Sequence, residues 1–597
     1  MVNPVDILEI GEYSRVPNTA NSCVFFECVS HSRLRVPRRL VVRFLIEQFL
    51  YIPPCARICE DHLTGNDWEN LFDAPNLQHT FNASQITDMF NIFREAMNQT
   101  PLGFENIDGI DPVEFRYLVG FTKDQFRMIL DQTTLSRECR SPSKALGMYL
   151  MKLRSGSSDE HLSNLFKTSR RSFERHLNTA RKCLIESFVP QHLGFEHMSR
   201  RDIVMRNLSV PNAIHGNQNL PFGQQKAIVV CDGTYVYVQH SSNFSFQRQS
   251  YSLHKYKNLL KPFLLVTCDG YILEVLGPYA ATKSDAVIMV DILRDENGLF
   301  HWLFEAGDVF VLDRGFRDAM EEFGIFGYRA VMPESKARNA DQLSTVQANK
   351  TRLVTLCRWV VEVVNGRFKR DFKLFRQPFS NLAMRHMFDD FRIAAALINA
   401  FHRPIVDNAH SADFVDIIDD RFGLPNRLAQ FVKERNINRQ RVAFERMNVN
   451  IANFLDFPRL TEEDLNLFAL GSYHLKLAKS YYAEHLKPDG NYTIEVYRDV
   501  ISDDLRGFGI VIQDGWLLRC QIQSRHRNAK KHHVYILVNN ELNGLNAISN
   551  YYCTCISGTK TLGCCAHVMT VTWFMSWGQH QDNIHLPAGF LNQCIRR

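Results

Sequence analysis

The chain predicts a multidomain α/β protein: a mixed sheet with flanking helices in the middle, an all-α stretch before it, and a small cysteine-rich module at each end. Three observations carry this. At 597 residues the chain is too long for one hydrophobic core, so three or more domains are expected. From 80 to 200 apolar residues recur at helical spacing, whereas from 225 to about 400 short apolar runs end in Asp-Gly or Asp-Arg-Gly and alternate with helical stretches. Of fifteen cysteines, four lie in 23–59 and four in 553–565.

The bulk properties exclude several classes. Composition is that of a folded protein, 45% apolar and 22% charged, and a net charge of +5 rules out a polycation. Affinity for nucleic acid must therefore come from local patches. No run of about 18 uninterrupted apolar residues occurs, which argues against a membrane span. Met1-Val-Asn-Pro-Val-Asp6 lacks the basic-then-apolar design of a signal peptide. An intracellular protein is expected, and cysteines clustered beside His62 and His567 then favour metal over disulfides.

The first segment, 1–75, holds Cys23-x4-Cys28, the basic stretch Arg33-Leu-Arg-Val-Pro-Arg-Arg39 and Cys59-x2-His62. Two ligand pairs, each close in sequence, would let Zn²⁺ stabilise a module with little core. Cys55 and His31 are alternative ligands.

The next domain, 110–200, begins with a helix capped by Thr122 and continues with a second over Ala145–Leu153. Ser158-Asp-Glu-His-Leu-Ser-Asn-Leu-Phe-Lys-Thr-Ser169 then leads into Arg170-Arg-Ser-Phe-Glu-Arg-His-Leu177. A short helix, a turn and a second capped helix make a helix-turn-helix layout. Phe173 and Leu177 would face the core, leaving Arg170, Arg171, Arg175 and His176 for a DNA groove or phosphates. The plainer alternative is a helical hairpin with a solvated basic face.

In 225–400, strands are expected at 227–231, 234–239, 262–268, 271–276, 309–312 and 328–332, a helix after Ser284-Asp285, and a long helical segment over 341–374. Asp232 closes the first strand and Asp313 the fifth. On the long segment Leu353, Leu356, Val360, Val364 and Phe368 would share an apolar face, with Arg358, Glu362, Asn365 and Lys369 opposite. Val360-Val-Glu-Val-Val364 favours strand by local propensity, but the helical spacing continues beyond it. Singly, each acid is a turn or helix residue; Asp269, before Gly270, reads as a hairpin turn. Together, three acids with basic neighbours form a set able to hold two Mg²⁺ (or Mn²⁺) ions and a DNA phosphate. No GxxxxGK[ST] loop occurs, so nucleotide hydrolysis is not expected to drive the chemistry.

Residues 401–489 form a helical linker region with one helix over Pro425–Arg435. Residues 490–597 are β-rich, with runs at Tyr492–Val496, Phe508–Ile512, Trp516–Gln521 and His533–Val538. They end in Cys553-x-Cys555, nine residues, and Cys565-x-His567. This is a second Zn²⁺ ligand set, with Cys564 as the alternative to Cys565. Lys560 and Arg525-His-Arg-Asn-Ala-Lys-Lys531 are placed to contact phosphates.

Asp232-Gly-Thr, Leu312-Asp-Arg-Gly-Phe316 and Val360-Val-Glu-Val-Val-Asn-Gly-Arg-Phe-Lys369 resemble the DDE endonuclease domain of Harbinger-type transposases. Tyr256-Lys-Asn, Asp269-Gly and Lys283-Ser-Asp285 are similar to that family's intervening landmarks. The resemblance covers roughly 115–400. It implies a ribonuclease-H-like fold, Asp232, Asp313 and Glu362 as catalytic metal ligands, and Mg²⁺-dependent cleavage and joining of DNA. The first segment resembles a THAP-type zinc finger, although its linker is shorter, and the last resembles a SWIM finger. Together these imply a nuclear protein acting on double-stranded, transposon-end-like DNA. A separate DNA-binding protein and self-association into a homo-oligomer are further expected partners, and a membrane is not. The rival is a host-adopted DNA-binding or chromatin protein that keeps the fold without catalysis.

Overall fold

Strict alternation along one strand organises the centre of the molecule. In Ile228–Gly233, Ile228 and Val230 enter one hydrophobic core while Val229 and Cys231 enter another on the opposite face. A strand apolar on both sides must be covered on both sides, and it is. The computed structural model describes residues 7–65, 68–98, 102–295, 297–440, 444–447, 457–485, 493–497, 502–525, 530–581 and 584.

The central sheet runs in the order Ile272–Ala280, Lys257–Thr267, Ile228–Gly233, Val309–Val311, Arg329–Val331. The first three strands pair antiparallel and the last two join parallel to Ile228–Gly233. The strand expected over 234–239 shrinks to Val236–Tyr237, a short edge piece on Lys257–Thr267. One face carries helix Asp285–Arg294 and the aromatic cluster of Phe300, Phe304, Phe310 and Tyr328. The other carries helices Thr345–Asp371 and Met387–Phe401.

The helical stretch is packed into that second face. Its helices Pro142–Ser155, Asp159–Leu165 and Arg170–Cys183 share one core with Ile228, Val230 and Leu264. Ser158 and Ser169 cap the last two helices, and Phe173 and Leu177 are buried as their i, i+4 spacing predicts. A buried bidentate pair, Arg181 to Asp390 at 2.7 and 3.3 Å, ties Arg170–Cys183 to Met387–Phe401, and the Tyr149 hydroxyl donates to the same carboxylate at 2.7 Å.

The Thr345–Asp371 helix overrides the strand propensity of its Val-Val-Glu-Val-Val run because both of its flanks are buried. Its sheet-facing residues are Val354, Cys357, Val360, Val361, Val364 and Phe368. Leu353 and Leu356, expected on that face, pack instead with Phe414, Ile418, Leu470 and Leu562. One helix thus serves two cores, which the single-face expectation missed.

At the ends stand two smaller bodies. Residues 10–96 build a core of their own around Phe44, Leu45, Tyr51 and Phe81. Strands Glu445–Met447, Thr493–Tyr497, Gly515–Gln523, Lys531–Asn539 and Ile548–Cys553 form an antiparallel five-stranded sheet covered by helices Ser472–His485 and Ala566–Ser576. The strand expected at Phe508–Ile512 is absent. Helix Ser502–Arg506 closes there through Gly509 at φ +74°, and Ile510 and Ile512 are buried from an irregular segment. No described helix is long and apolar enough to cross a membrane.

Candidate functional site

Register brings the first two acids together. Val230 pairs with Val311 in parallel, so Asp232 and Asp313, each two residues on, emerge side by side at the same sheet edge. Asp313 leaves the strand in extended conformation and caps the turn Arg314–Ala319, its Oδ1 accepting the Gly315 amide at 2.6 Å. The third acid comes from the helix crossing beneath. One guanidinium, Arg358, reaches all three: Nη2 lies 3.4 Å from Asp232 Oδ2 and 3.9 Å from Asp313 Oδ2, and Nη1 lies 3.4 Å from Glu362 Oε1. Their side chains are 11%, 35% and 63% exposed, so the cluster opens from a buried floor at Asp232 to a solvent-facing rim at Glu362.

A fourth carboxylate belongs to this cluster. Asp285 Oδ1 lies 2.7 Å from where a Cβ on Gly233 would stand, and Oδ2 lies 3.6 Å from the corresponding point on Gly315. A glycine beside each strand-end acid therefore leaves room for it, and a side chain at Gly233 would displace it. Asp285 pairs with Lys261 at 3.2 Å. Lys283-Ser-Asp285 reads in sequence only as a landmark; its proximity to Asp232 depends on the hairpin between them, which no local pattern reports.

The electrostatics follow. Burial first, and then Asp313, Glu362 and Asp285, push the Asp232 carboxyl up to about 7, against the opposing pull of Arg358. Tyr235, on the adjoining loop, is pushed up to about 12 by burial and by Asp285, Asp232 and Asp313. Lys255 lies over the Tyr235 ring at 5.2 Å and Lys257 over Tyr237 at 5.3 Å, and Tyr256, between the two lysines in sequence, is exposed. From sequence, Tyr256-Lys-Asn reads only as a family landmark; the basic and aromatic strip that it forms next to the acids with Lys255, Tyr235 and Tyr237 does not show there.

Residues 231–399 match the family model of a DDE superfamily endonuclease. The segment carrying all four carboxylates and Arg358 is thus similar to a DDE-type endonuclease domain. Comparison of the chain with curated proteins and with solved structures finds no match. The donors are all oxygen, the type a hard divalent cation takes, but among the described residues no three of these acids bring their oxygens within 4.8 Å of one another, and the Arg358 guanidinium lies against Asp232, Asp313 and Glu362.

Two further sets suit a softer metal. Cys23, Cys28, Cys59 and His62 lie with their ligand atoms within 4.8 Å of one another, and so do Cys553, Cys555, Cys565 and His567. Three thiols and an imidazole at that spacing fit Zn²⁺. Cys55 instead donates to Asn18 Oδ1 at 2.6 Å, and Cys564 faces Met569 Sδ at 3.7 Å, so both alternatives fall away in favour of Cys59 and Cys565. His31 also lies outside the N-terminal set. Burial raises the Cys565 thiol, but hydrogen bonds from Cys553, Cys555 and His567 outweigh it and hold it well below the usual range. Lys560, expected to meet phosphate, is buried; burial and then Arg352 lower its hold on its proton, opposed by Cys565, Cys555 and Cys564. A bound Zn²⁺ with three thiolates carries net negative charge, which suits that buried cation.

The remaining sequence-derived residues are more dispersed. Arg170, Arg171 and Arg175 are exposed on their helix, with Arg170 paired to Glu174 at 2.8 Å. His176 Nδ1 lies 2.7 Å from the Ser172 carbonyl oxygen, so this nitrogen is turned to its own helix. Lys369 is exposed two turns beyond Glu362. Arg525 stacks over Tyr481 at 4.6 Å, and residues 526–529 of that basic stretch lie outside the described residues.

Proposed function

We propose that the chain is a divalent-metal-dependent DNA endonuclease and strand transferase of the Harbinger transposase type. It would act in the nucleus on double-stranded, transposon-end-like DNA. The observation that carries this reading is the single guanidinium of Arg358 reaching Asp232, Asp313 and Glu362, within a segment similar to DDE endonucleases. The sheet order supports a ribonuclease-H-like assignment, with three antiparallel strands and two parallel ones added on the far side of the first.

In this reading Asp232, Asp313 and Glu362 hold the cations, and Asp285 reinforces the negative field from behind the two glycines. Bound Mg²⁺ or Mn²⁺ would activate water or a DNA 3′-hydroxyl and stabilise the leaving oxygen. Asp232 must shed its proton to become a ligand, so cation binding strengthens as pH rises through about 7. Arg358, freed from the carboxylates, is placed to meet a phosphate oxygen, and Tyr235 keeps its proton and serves as a donor. Lys255 and Lys257 extend the positive track. Arg170, Arg171 and Arg175 would contact DNA as part of a helix-turn-helix. Zn²⁺ would hold a THAP-like module at Cys23, Cys28, Cys59 and His62, and a SWIM-like one at Cys553, Cys555, Cys565 and His567. A separate DNA-binding protein and a homo-oligomer are the further partners in this reading.

One observation favours a second reading. Arg358 already pairs with the three acids, as in a structural ion-pair network, and a host-adopted DNA-binding or chromatin protein would keep that arrangement unused. Metal-dependent cleavage of terminal-repeat DNA decides between them. The wild type should nick the DNA with Mg²⁺ or Mn²⁺, and Asp313→Asn should bind equally and not cleave. Wild-type binding without metal-dependent cleavage would establish the second reading.

A further inference from the structure

The N-terminal end of the helix that carries Arg358 and Glu362 is gripped by the loop that carries the C-terminal cysteines. Gln342, just before the helix, donates from Nε2 to the carbonyls of Cys553 and Cys555, both at 2.7 Å, and its Oε1 accepts the Tyr552 hydroxyl at 2.7 Å. The Leu343 amide donates to the Ile556 carbonyl at 3.0 Å, and the Thr559 hydroxyl to the Leu343 carbonyl at 2.9 Å. In the first turns Asn349, fully buried, donates to Thr561 Oγ1 at 2.7 Å and accepts from the Thr561 and Leu562 amides at 2.9 and 3.2 Å. One turn on, Arg352 Nη2 donates at 2.8 Å to the carbonyls of Ala469 and Leu470, at the end of helix Glu462–Ala469 and outside this loop. The bonds of Gln342, Leu343 and Asn349 gather the Cys553–Leu562 part of the loop onto the first turns of one helix and the residues just before it.

Free DNA-reading fingers present their basic residues outward, whereas this one turns Lys560 inward. A helix transmits a constraint along its axis at about 1.5 Å per residue. Arg358 lies six residues beyond Arg352 and Glu362 ten, on the same uninterrupted helix. The loop's shape depends in turn on the four ligand side chains held together in it.

We propose that the C-terminal Cys3His module is an internal buttress of the nuclease site. On this proposal Zn²⁺ at Cys553, Cys555, Cys565 and His567 fixes the loop that positions the Glu362 helix, through the positioning residues Gln342 and Asn349. The catalytic consequence rests on the endonuclease reading above; the mechanical consequence does not.

The test uses the full-length protein and two readouts. Amide hydrogen exchange is followed over 345–362 before and after removal of zinc by a chelator that spares Mg²⁺. It is also followed in Gln342→Met, which keeps the side-chain length but not the donors, and in Asn349→Ala. Faster exchange in this helix on zinc removal is expected, and unchanged exchange there overturns the proposal whether or not the protein cleaves DNA. Where cleavage is measurable, Asn349→Ala should retain both zinc ions, keep its DNA affinity and lose about a hundredfold in kcat, because a misplacement near 1 Å at a reacting centre is worth that much. Gln342→Met should fall in the same direction by less, and Gln342→Glu, which keeps one acceptor while losing the donors to Cys553 and Cys555, should not rescue it. A loss of DNA affinity with kcat intact would make the module a DNA-contacting finger and overturn the buttress.

Discussion

At the N-terminal metal set, Cys23 and Cys59 are buried while Cys28 and His62 are half-buried; at the C-terminal set all four ligands are buried. The ligand types and their order are the same, three cysteines and then a histidine. What differs is the surrounding protein. The first set closes a module whose core draws on residues 10–96, with Phe25 stacked on the His62 ring at 3.9 Å. The second lies under helix Ala566–Ser576, every residue of which from His567 onward is buried, and its loop is hydrogen-bonded to the helix that carries Arg358 and Glu362 and to the residues just before it. A metal set that serves its own core makes a separable unit. One whose ligand loop is bonded to another element's backbone and side chains becomes part of that element.

The largest expected effect separates the two sets directly. Structural zinc binding is worth roughly 10–16 kcal/mol at neutral pH in small modules, and that energy is folding energy. Cys565→Ser should therefore lower the main calorimetric unfolding transition and expose the C-terminal sheet to protease. Cys59→Ser should open only the segment 7–98 and leave the main transition in place. Each variant should lose one of two zinc ions by elemental analysis. If Cys59→Ser also lowers the main transition, the N-terminal module is not separable and the contrast fails.

A second variant asks how firmly the helical stretch is joined to the sheet. Asp390→Ala leaves Arg181 buried without its carboxylate and should cost about 3–5 kcal/mol in chemical denaturation. Tyr149→Phe removes one hydrogen bond to the same acid and should cost about 1 kcal/mol. Unequal effects of this size would show that the helix bearing Arg170, Arg171 and Arg175 belongs to the same body as the acid site. If both changes are neutral, that helix is as separable as the N-terminal module.

Legibility in the sequence followed the range of the interactions. Asp232 and Asp313 could be read because each terminates a short apolar run, and the caps at Thr122 and Ser169 because a cap is a local bond. Both cysteine sets were legible for the same reason: each ligand pair is close in the chain. Asp285 escaped because its nearness to Gly233 is made by an intervening hairpin. Leu353 and Leu356 were assigned to one face because periodicity reports that a helix has apolar residues, not that two different cores will compete for them. Lys560 was read as a phosphate contact because a lysine's burial depends on the fold around it, here a cysteine cluster facing Arg352 and a helix far away in sequence.

Metal linkage at the acid cluster should be felt only in the larger body. A carboxyl held up near 7 keeps its proton more tightly in the folded chain than in the unfolded one. The advantage is complete below the ordinary carboxylate range and is lost as pH rises through about 7. Above that the ionised, buried Asp232 is a liability until a cation arrives. Metal-free Asp232→Asn should accordingly be more stable than wild type at pH 8 by about 2–4 kcal/mol, with the gap narrowing as pH falls to 5. Saturating Mn²⁺ should raise the wild-type transition and leave the variant's largely unmoved. An equal response of both proteins to Mn²⁺ would place the cation elsewhere.

The smallest effect concerns DNA. Arg171 is exposed on its helix, whereas neighbouring Arg170 is paired with Glu174 at 2.8 Å and has part of its charge answered already. If this helix contacts phosphates, Arg171→Ala should reduce the slope of log affinity against log salt by about 1, and Arg170→Ala by less. Combining Arg171→Ala with Cys59→Ser then tests the opening contrast from the side of function. Two separable bodies that touch DNA independently should give additive losses in binding free energy, since distant sites without shared partners add to within a few tenths of a kcal/mol. A larger shortfall would mean that the N-terminal module and the Arg170–Cys183 helix grip the same stretch of DNA as one surface, and that binding joins two parts which the free protein keeps apart.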